Sequence, residues 1–328
     1  MTVIDVHTHI LSREFVDLLA ARGGPEYEVK VDRSQSPAVH RHGAPFMTLQ
    51  SGMFDVAERL AAMDAGGVDV GVLSLTCPNV YWGTREDSLH AARAINDYIA
   101  EVCRAHPGRF LGLASLPWQY PDDAVAELDR ACDELGHVGA IVLANVAGES
   151  LTDPRFAPIW AALDRRGLPV LLHPTTPPGV EHLDMTRYNL VAAVGFMVDT
   201  TIAVARMIYD GFLDRYPNLK LIAPHAGGTL PYVVGRLDRC YEQMPACRAA
   251  IAEPPSSYLR RIYYDSVCYD QGALDLCLRV GGTGQLLFGS DYPHNIGDIT
   301  GCLARVRELP AGVVEEVQHR NAERLFNV

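Results

Sequence analysis

The chain has 328 residues, 48% of them hydrophobic, and a formal net charge of −12. That length and apolar content suffice for one large core, while an acidic balance with no run of Lys or Arg excludes a phosphate-tracking surface and so a nucleic-acid partner. Eight cysteines (77, 103, 132, 240, 247, 268, 277, 302) lie singly and read as reduced, buried thiols; with no basic-then-apolar leader and no apolar run near the ~20 residues a bilayer crossing needs, a soluble cytoplasmic protein without a membrane partner is expected.

In chain order, the first predicted strand covers residues 2–7 and runs into Ile4-Asp5-Val6-His7-Thr8-His9. Alternate side chains of an extended strand share a face, so His7 and His9 can reach one ion, and two neutral imidazoles from one short segment suit zinc-like divalent metals. Read alone, the pair is equally compatible with a polar strand end facing solvent. After a first short helix, residues 20–52 are rich in Gly, Pro, Ser and His and too long for a simple connection in a compact barrel. They are expected to project over the strand C-termini as a lid, with a disordered surface insertion as the alternative.

A helix over 54–66 follows, with Phe54, Ala57, Leu60, Ala61 and Met63 on or near one face and Gly66-Gly67 at its end. From there, strands near 69–75, 109–115, 138–144, 168–173, 219–225, 261–267 and 285–290 alternate with helices over 87–105, 122–135, 155–166, 196–215, 230–243, 271–280 and 299–308. Eight strands in such alternation predict an α/β fold, a (β/α)8 TIM barrel, as a single domain over 1–328 with the lid inserted after the first strand. Three later strands repeat the design of the first: apolar runs end in His173, in His225 and in Asp291. Functional groups at C-terminal strand ends are what such a barrel presents, and four such ends point to a metal site.

Together, Asp5-Val6-His7-Thr8-His9, His173-Pro174, Pro224-His225-Ala226-Gly227-Gly228 and Gly289-Ser290-Asp291-Tyr292-Pro293 resemble the amidohydrolase superfamily. Within it they are most similar to the branch of 2-amino-3-carboxymuconate 6-semialdehyde decarboxylase and the nonoxidative hydroxybenzoate decarboxylases. The similarity runs along nearly the whole chain, through Tyr81-Trp82, Glu86-Asp87, Arg109 to Leu113 and Val234-Gly235-Arg236. The resemblance implies one divalent metal, zinc first and manganese second, held by His7, His9, His173 and Asp291, with His225 beside its water as general base or electrostatic partner and no organic cofactor. Donor chemistry is compatible, since three imidazoles and a carboxylate with an open position suit a catalytic zinc, and histidine exchanges protons near neutrality. Residue by residue, His225 could instead be a structural histidine beside a glycine pair, and Asp291 a cap for the helix that follows.

Lysine usage bears on the metal count. The only lysines are Lys30 and Lys220, and strand four ends in Val142-Leu143-Ala144-Asn145, so the carboxylated lysine that bridges two ions in dinuclear relatives has no counterpart and one ion is expected.

The resemblance implies a metal-dependent nonoxidative decarboxylase of an unsaturated or aromatic carboxylic acid, with Asp291 or His225 supplying the proton that replaces the carboxyl group. A metal-dependent hydrolase of a lactone, amide or ester is the alternative, and a nonenzymatic metal-binding protein a third reading. Matching positions places Met47 where the semialdehyde decarboxylase carries a carboxylate-binding arginine and Ala192 where it carries a pocket tryptophan. A thioether cannot replace an arginine fork, so a less acidic, salicylate-type monocarboxylate is expected. Trp82 and His294 complete the expected pocket. Arg236 is implied to reach toward the neighbour's site across a homodimer interface, or else is an ordinary surface arginine.

Overall fold

The computed structural model describes residues 2–31, 36–185 and 187–328. Its strands run β1 (Ile4–His9), β2 (Tyr27–Val31), β3 (Pro37–Arg41), β4 (Ala44–Thr48), β5 (Val70–Ser74), β6 (Phe110–Ser115), β7 (Gly139–Leu143), β8 (Asn145–Val146), β9 (Glu149–Ser150), β10 (Pro169–His173), β11 (Lys220–Ala223) and β12 (Tyr263–Tyr264). β1, β5, β6, β7, β10, β11 and β12 pair in that order as one parallel sheet. Parallel strands are covered on both faces, which explains their continuous apolar runs; β7 is buried at every residue.

Helices Val56–Gly66, Arg85–Ala105, Pro121–Asp133, Ala157–Arg166, Phe196–Tyr209, Leu230–Gln243, Gln271–Gly281 and Ile299–Arg307 follow the strands, as the alternation predicts. Their ends follow capping chemistry. Asp55 accepts from the amides of Ala57 and Glu58, which starts its helix at Val56 and leaves Phe54 outside. The predicted helix over 196–215 breaks at Gly211, whose φ of 66° suits glycine, and resumes as Phe212–Arg215.

The predicted strand over 285–290 is not a regular strand. The amides of Tyr264 and Leu287 bond Gln285 O and Tyr264 O at 2.8 Å, while Val6 N reaches Phe288 O and Asp291 N reaches His7 O at 2.9 Å. The segment therefore bridges both edges of the sheet and curls it. Its ladder is interrupted because Asp5 captures both the Ser290 amide (3.1 Å) and hydroxyl (2.5 Å). A separate apolar cluster joins Ile4, Val6, Val72, Leu113, Ile141, Leu171, Ile222 and Leu287 to Ala322, Leu325 and Phe326, so the C-terminal helix Asn321–Phe326 packs against the inward side chains of the curled sheet.

Two expectations change. Within 20–52, of which 32–35 lie outside the described residues, β2, β3 and β4 form an antiparallel sheet. His42 and Gly43 both take positive φ (48° and 80°), the hairpin turn whose twist matches its flanking strands. Helical turns also join Arg187–Tyr209 into a stretch of 23 residues, long and apolar enough by length and composition to cross a bilayer. Its apolar content has a local use: Ala203, Val204, Met207 and Ile208 enter the core and Ala192, Phe196 and Met197 face a cavity. All eight cysteines are unpaired, but only Cys77, Cys277 and Cys302 are fully buried.

Candidate active site

The C-terminal ends of β1, β10 and β11 and the segment after residue 290 meet at one point. His7 donates from Nδ1 to Asp265 Oδ2 (2.6 Å), and its Nε2 lies 3.0 Å from His9 Nε2. Ser74 Oγ gives its proton to Thr8 O and so accepts from His9 Nδ1 at 3.1 Å. His173 Nδ1 donates to Pro174 O at 2.7 Å, and its buried Nε2 has no hydrogen-bond partner. Each imidazole thus spends its Nδ1 proton on a fixed acceptor and turns an Nε2 lone pair inward, the tautomer that metal-binding histidines need. Two such nitrogens 3.0 Å apart need a proton or a cation between them, and with the carboxylate of Asp291 beside them these residues fit a divalent ion.

Asp291 completes the set. Its Oδ1 stands 3.5 Å from His7 Nε2 and 3.3 Å from His9 Nε2, and its Oδ2 stands 3.6 Å from His225 Nε2. Ligand atoms of His7, His173, His225 and Asp291 all lie within 4.8 Å of one another. Asp291 is no helix cap: Asp298 caps Ile299–Arg307 by accepting from Gly301 N. Asp291 and His225 both hold positive φ (60° and 54°), as does Ala226 (51°), backbone strain of a kind that clusters at functional sites.

Electrostatics match the geometry. Burial pushes His9 down to about 3, although its bond to Asp291 opposes the shift, and burial together with the neighbouring imidazoles holds His173 well below the usual range. Both are therefore neutral and able to ligate. Burial would lower His7 too, but the hydrogen bond and charge of Asp265, with the charges of Asp291 and Asp5, outweigh it and raise the group, so without an ion His7 favours a second proton on Nε2 that a metal must displace. Burial works to raise Asp291, yet His225, His294, His9 and His7 keep it well below the ordinary carboxylate range.

Of these groups, His173, His225 and Asp291 line a cavity of about 1020 Å3, with His7 and His9 behind them. Met47 on β4, Ala192 and His294 line it, and His294 Nε2 bonds Thr76 Oγ1 at 2.8 Å. Phe46, Phe196, Tyr232 and Tyr269 supply aromatic surface, and no Lys or Arg lines the cavity among the described residues. Trp82 is placed elsewhere: it is buried against Phe15 and donates to Asn79 O, outside the cavity wall. Arg236 lies exposed on Leu230–Gln243, the helix that carries Tyr232.

Three residues escaped the sequence reading. Asp265 directly follows β12, and the run Tyr263-Tyr264-Asp265 repeats the strand-end design that singled out the others. Ser74 ends β5. Arg59 is fully buried and bonds Thr8 Oγ1 (2.6 Å), His9 O and Gly52 O (3.0 Å), so it clamps the end of β1 from below. Asn145, where dinuclear relatives would need lysine, turns instead to Asp199 at 3.1 Å.

The family model described as "Amidohydrolase" matches residues 4–328. The 2-amino-3-carboxymuconate-6-semialdehyde decarboxylase of Dictyostelium discoideum is 33% identical over 302 residues, covering 90% of this chain and 83% of that protein. The gamma-resorcylate decarboxylase of Rhizobium sp. (strain MTP-10005) is 30% identical over 301 residues, covering 85% and 90%. Among solved structures, the 5-carboxyvanillate decarboxylase of Novosphingobium aromaticivorans, which holds manganese and 3-methoxy-4-hydroxy-5-nitrobenzoic acid, superposes with a TM-score of 0.84 at 24% identity, covering 100% of this chain and 97% of its own.

Proposed function

The chain belongs to the amidohydrolase family, and from that membership we propose that it is a metal-dependent, nonoxidative decarboxylase of an aromatic or unsaturated carboxylic acid. One observation carries the reading: ligand atoms of His7, His173, His225 and Asp291 lie within 4.8 Å of one another, with His9 beside His7 and Asp291, at a largely apolar cavity whose described lining offers no Lys or Arg to a substrate carboxylate. A divalent ion held by His7, His9, His173 and Asp291 supplies the missing positive charge there. Zinc suits this donor set, and manganese, present in the carboxyvanillate enzyme, is the second choice.

The chain's own residues then do the following. Phe46, Phe196 and Tyr269 pack a ring and exclude water, while Met47 and Ala192 leave room without adding charge. His225 delivers a proton to the carbon that bears the carboxylate, or Asp291 does so after first taking one up, since its neighbours keep it ionised. The bond to the carboxyl carbon breaks, carbon dioxide leaves, and the bond's electron pair returns to the substrate's conjugated system. Substrate plus one proton becomes decarboxylated product plus carbon dioxide. Decarboxylase names among the relatives favour this over hydrolysis of a lactone, amide or ester. We read the seven-stranded sheet, curled by segment 285–290, as one barrel-like unit over 1–328, and 20–52 as its lid, since Met47 of β4 lines the cavity.

Carbon dioxide release from hydroxybenzoates should exceed release from aminocarboxymuconate semialdehyde, because Met47 lacks the charge-assisted contact worth about 1.5–3 kcal/mol. Lactones and amides run in parallel should stay unchanged. Efficient turnover of the semialdehyde would overturn the monocarboxylate reading, and hydrolysis alone would overturn decarboxylation.

The reading includes a cytoplasmic homodimer in which Arg236 serves the partner's site. Exposed Tyr232 and the stripe Val194, Val198 and Ile202 offer a second copy apolar surface beside the same cavity. Arg236→Ala mixed with His9→Ala should regain activity through hybrid dimers that contain one intact composite site. No recovery in demonstrated hybrids, or a fully active monomer, would remove Arg236 from the site.

A further inference from the structure

We propose that Asp265 is the positioning residue that ties the metal-facing imidazole of His7 to the strained turn carrying His225. This extends the metal-site reading, but its test does not depend on the substrate. Asp265 is fully buried at the end of β12 and divides its two oxygens between two parts of the site. Oδ2 takes the Nδ1 proton of His7 at 2.6 Å. Oδ1 accepts from Ala226 N at 3.1 Å and from Val267 N at 3.0 Å.

Both connections have a physical purpose. A carboxylate on Nδ1 fixes the tautomer in which Nε2 keeps its lone pair, and it makes that nitrogen a better donor. The amide of Ala226 belongs to a turn in which His225 and Ala226 both hold left-handed φ. That conformation persists for non-glycine residues only where surroundings hold it, and the bond to Oδ1 is such a hold. The packing leaves little slack. A Cβ added at Gly289 would stand 3.0 Å from both the Asp265 and His7 Cβ atoms, so glycine there lets the carboxylate and imidazole meet.

Asp265→Asn separates positioning from mere packing because it preserves volume. An asparagine that keeps its oxygen toward the Ala226 and Val267 amides must turn its NH2 toward His7 Nδ1. His7 then has to accept at Nδ1 and carry its proton on Nε2, which removes the inward lone pair. With Zn2+ and Mn2+ titrated separately against a competing chelator, the variant should bind about 10- to 100-fold more weakly than wild type. Nitrogen-15 imidazole spectra of the metal-free proteins, taken at alkaline pH where His7 is neutral, should show His7 protonated at Nδ1 in wild type and at Nε2 in the variant, and metal-free melting temperatures should stay close. Gly289→Ala, which keeps the carboxylate but wedges the pair apart, should weaken binding in the same direction. Wild-type affinity with an unchanged His7 tautomer in Asp265→Asn would overturn the proposal, as would a metal-free variant that loses its fold in step with its affinity.

Discussion

Stripping the metal with a chelator is expected to abolish carbon dioxide release and to lower the melting temperature, and restoring Zn2+ or Mn2+ should recover both. The geometry sets the size of the effect. His7, His9, His173 and Asp291 bring three imidazoles and a carboxylate together inside the protein, with His7 and His9 Nε2 atoms 3.0 Å apart and the His9 and His173 ring centroids 4.8 Å apart. Without positive charge among them these groups repel at short range and are poorly solvated. An ion that binds only the folded state stabilises it by about 4 kcal/mol at a thousandfold excess over its dissociation constant. Elemental analysis of unchelated protein should find close to one metal per chain, since Asn145 is committed to Asp199 and no lysine can bridge a second ion. Two tightly held ions per chain would defeat the single-ion reading, and full turnover at trace metal would defeat metal dependence itself.

The strand ends were legible in the sequence because a buried parallel strand is apolar until it leaves the sheet, so a histidine or aspartate there stands out against Val170, Leu171 and Leu172 or Leu286, Leu287 and Phe288. What those residues face was less legible. The bond between His7 and Asp265 joins positions 258 apart in sequence, and Asp265 stands among tyrosines that read as ordinary strand. Trp82 shows the opposite failure: Tyr81-Trp82 carries part of the resemblance, yet the indole turns to Asn79 and Phe15 and helps the core. The sheet β2 to β4 was hidden by composition, since Gly, Pro, Ser and His suggested a loop. Its alternation, Tyr27-Glu28-Val29-Lys30-Val31, spans one short strand, and pairing with β3 decides the outcome. Segment 285–290 has the local pattern of a strand, but the side chain of Asp5 takes the ladder amide of Ser290 as well as its hydroxyl.

Replacing His225 is expected to lower turnover by ~10²-fold or more while metal content stays close to wild type, the scale of acid–base assistance. His225 lines the cavity, its Nε2 is 3.6 Å from Asp291 Oδ2, and its Nδ1 is buried without a partner. It is therefore placed to pass a proton between Asp291 and a bound substrate, while the resemblance implies that the other four residues hold the ion. Its φ of 54° shapes the choice of variant. Asparagine tolerates the left-handed region better than alanine, so His225→Asn keeps the turn while removing the imidazole, and His225→Ala adds a backbone penalty. If the loss is chemical, both variants should fall to similar kcat with KM little changed; if it is structural, the asparagine variant should recover. Because the ligand atoms of His225 lie within 4.8 Å of those of His7, His173 and Asp291, the contrary result is equally concrete. Metal lost in step with activity in both variants would make His225 a ligand, and proton delivery would then fall to Asp291 alone.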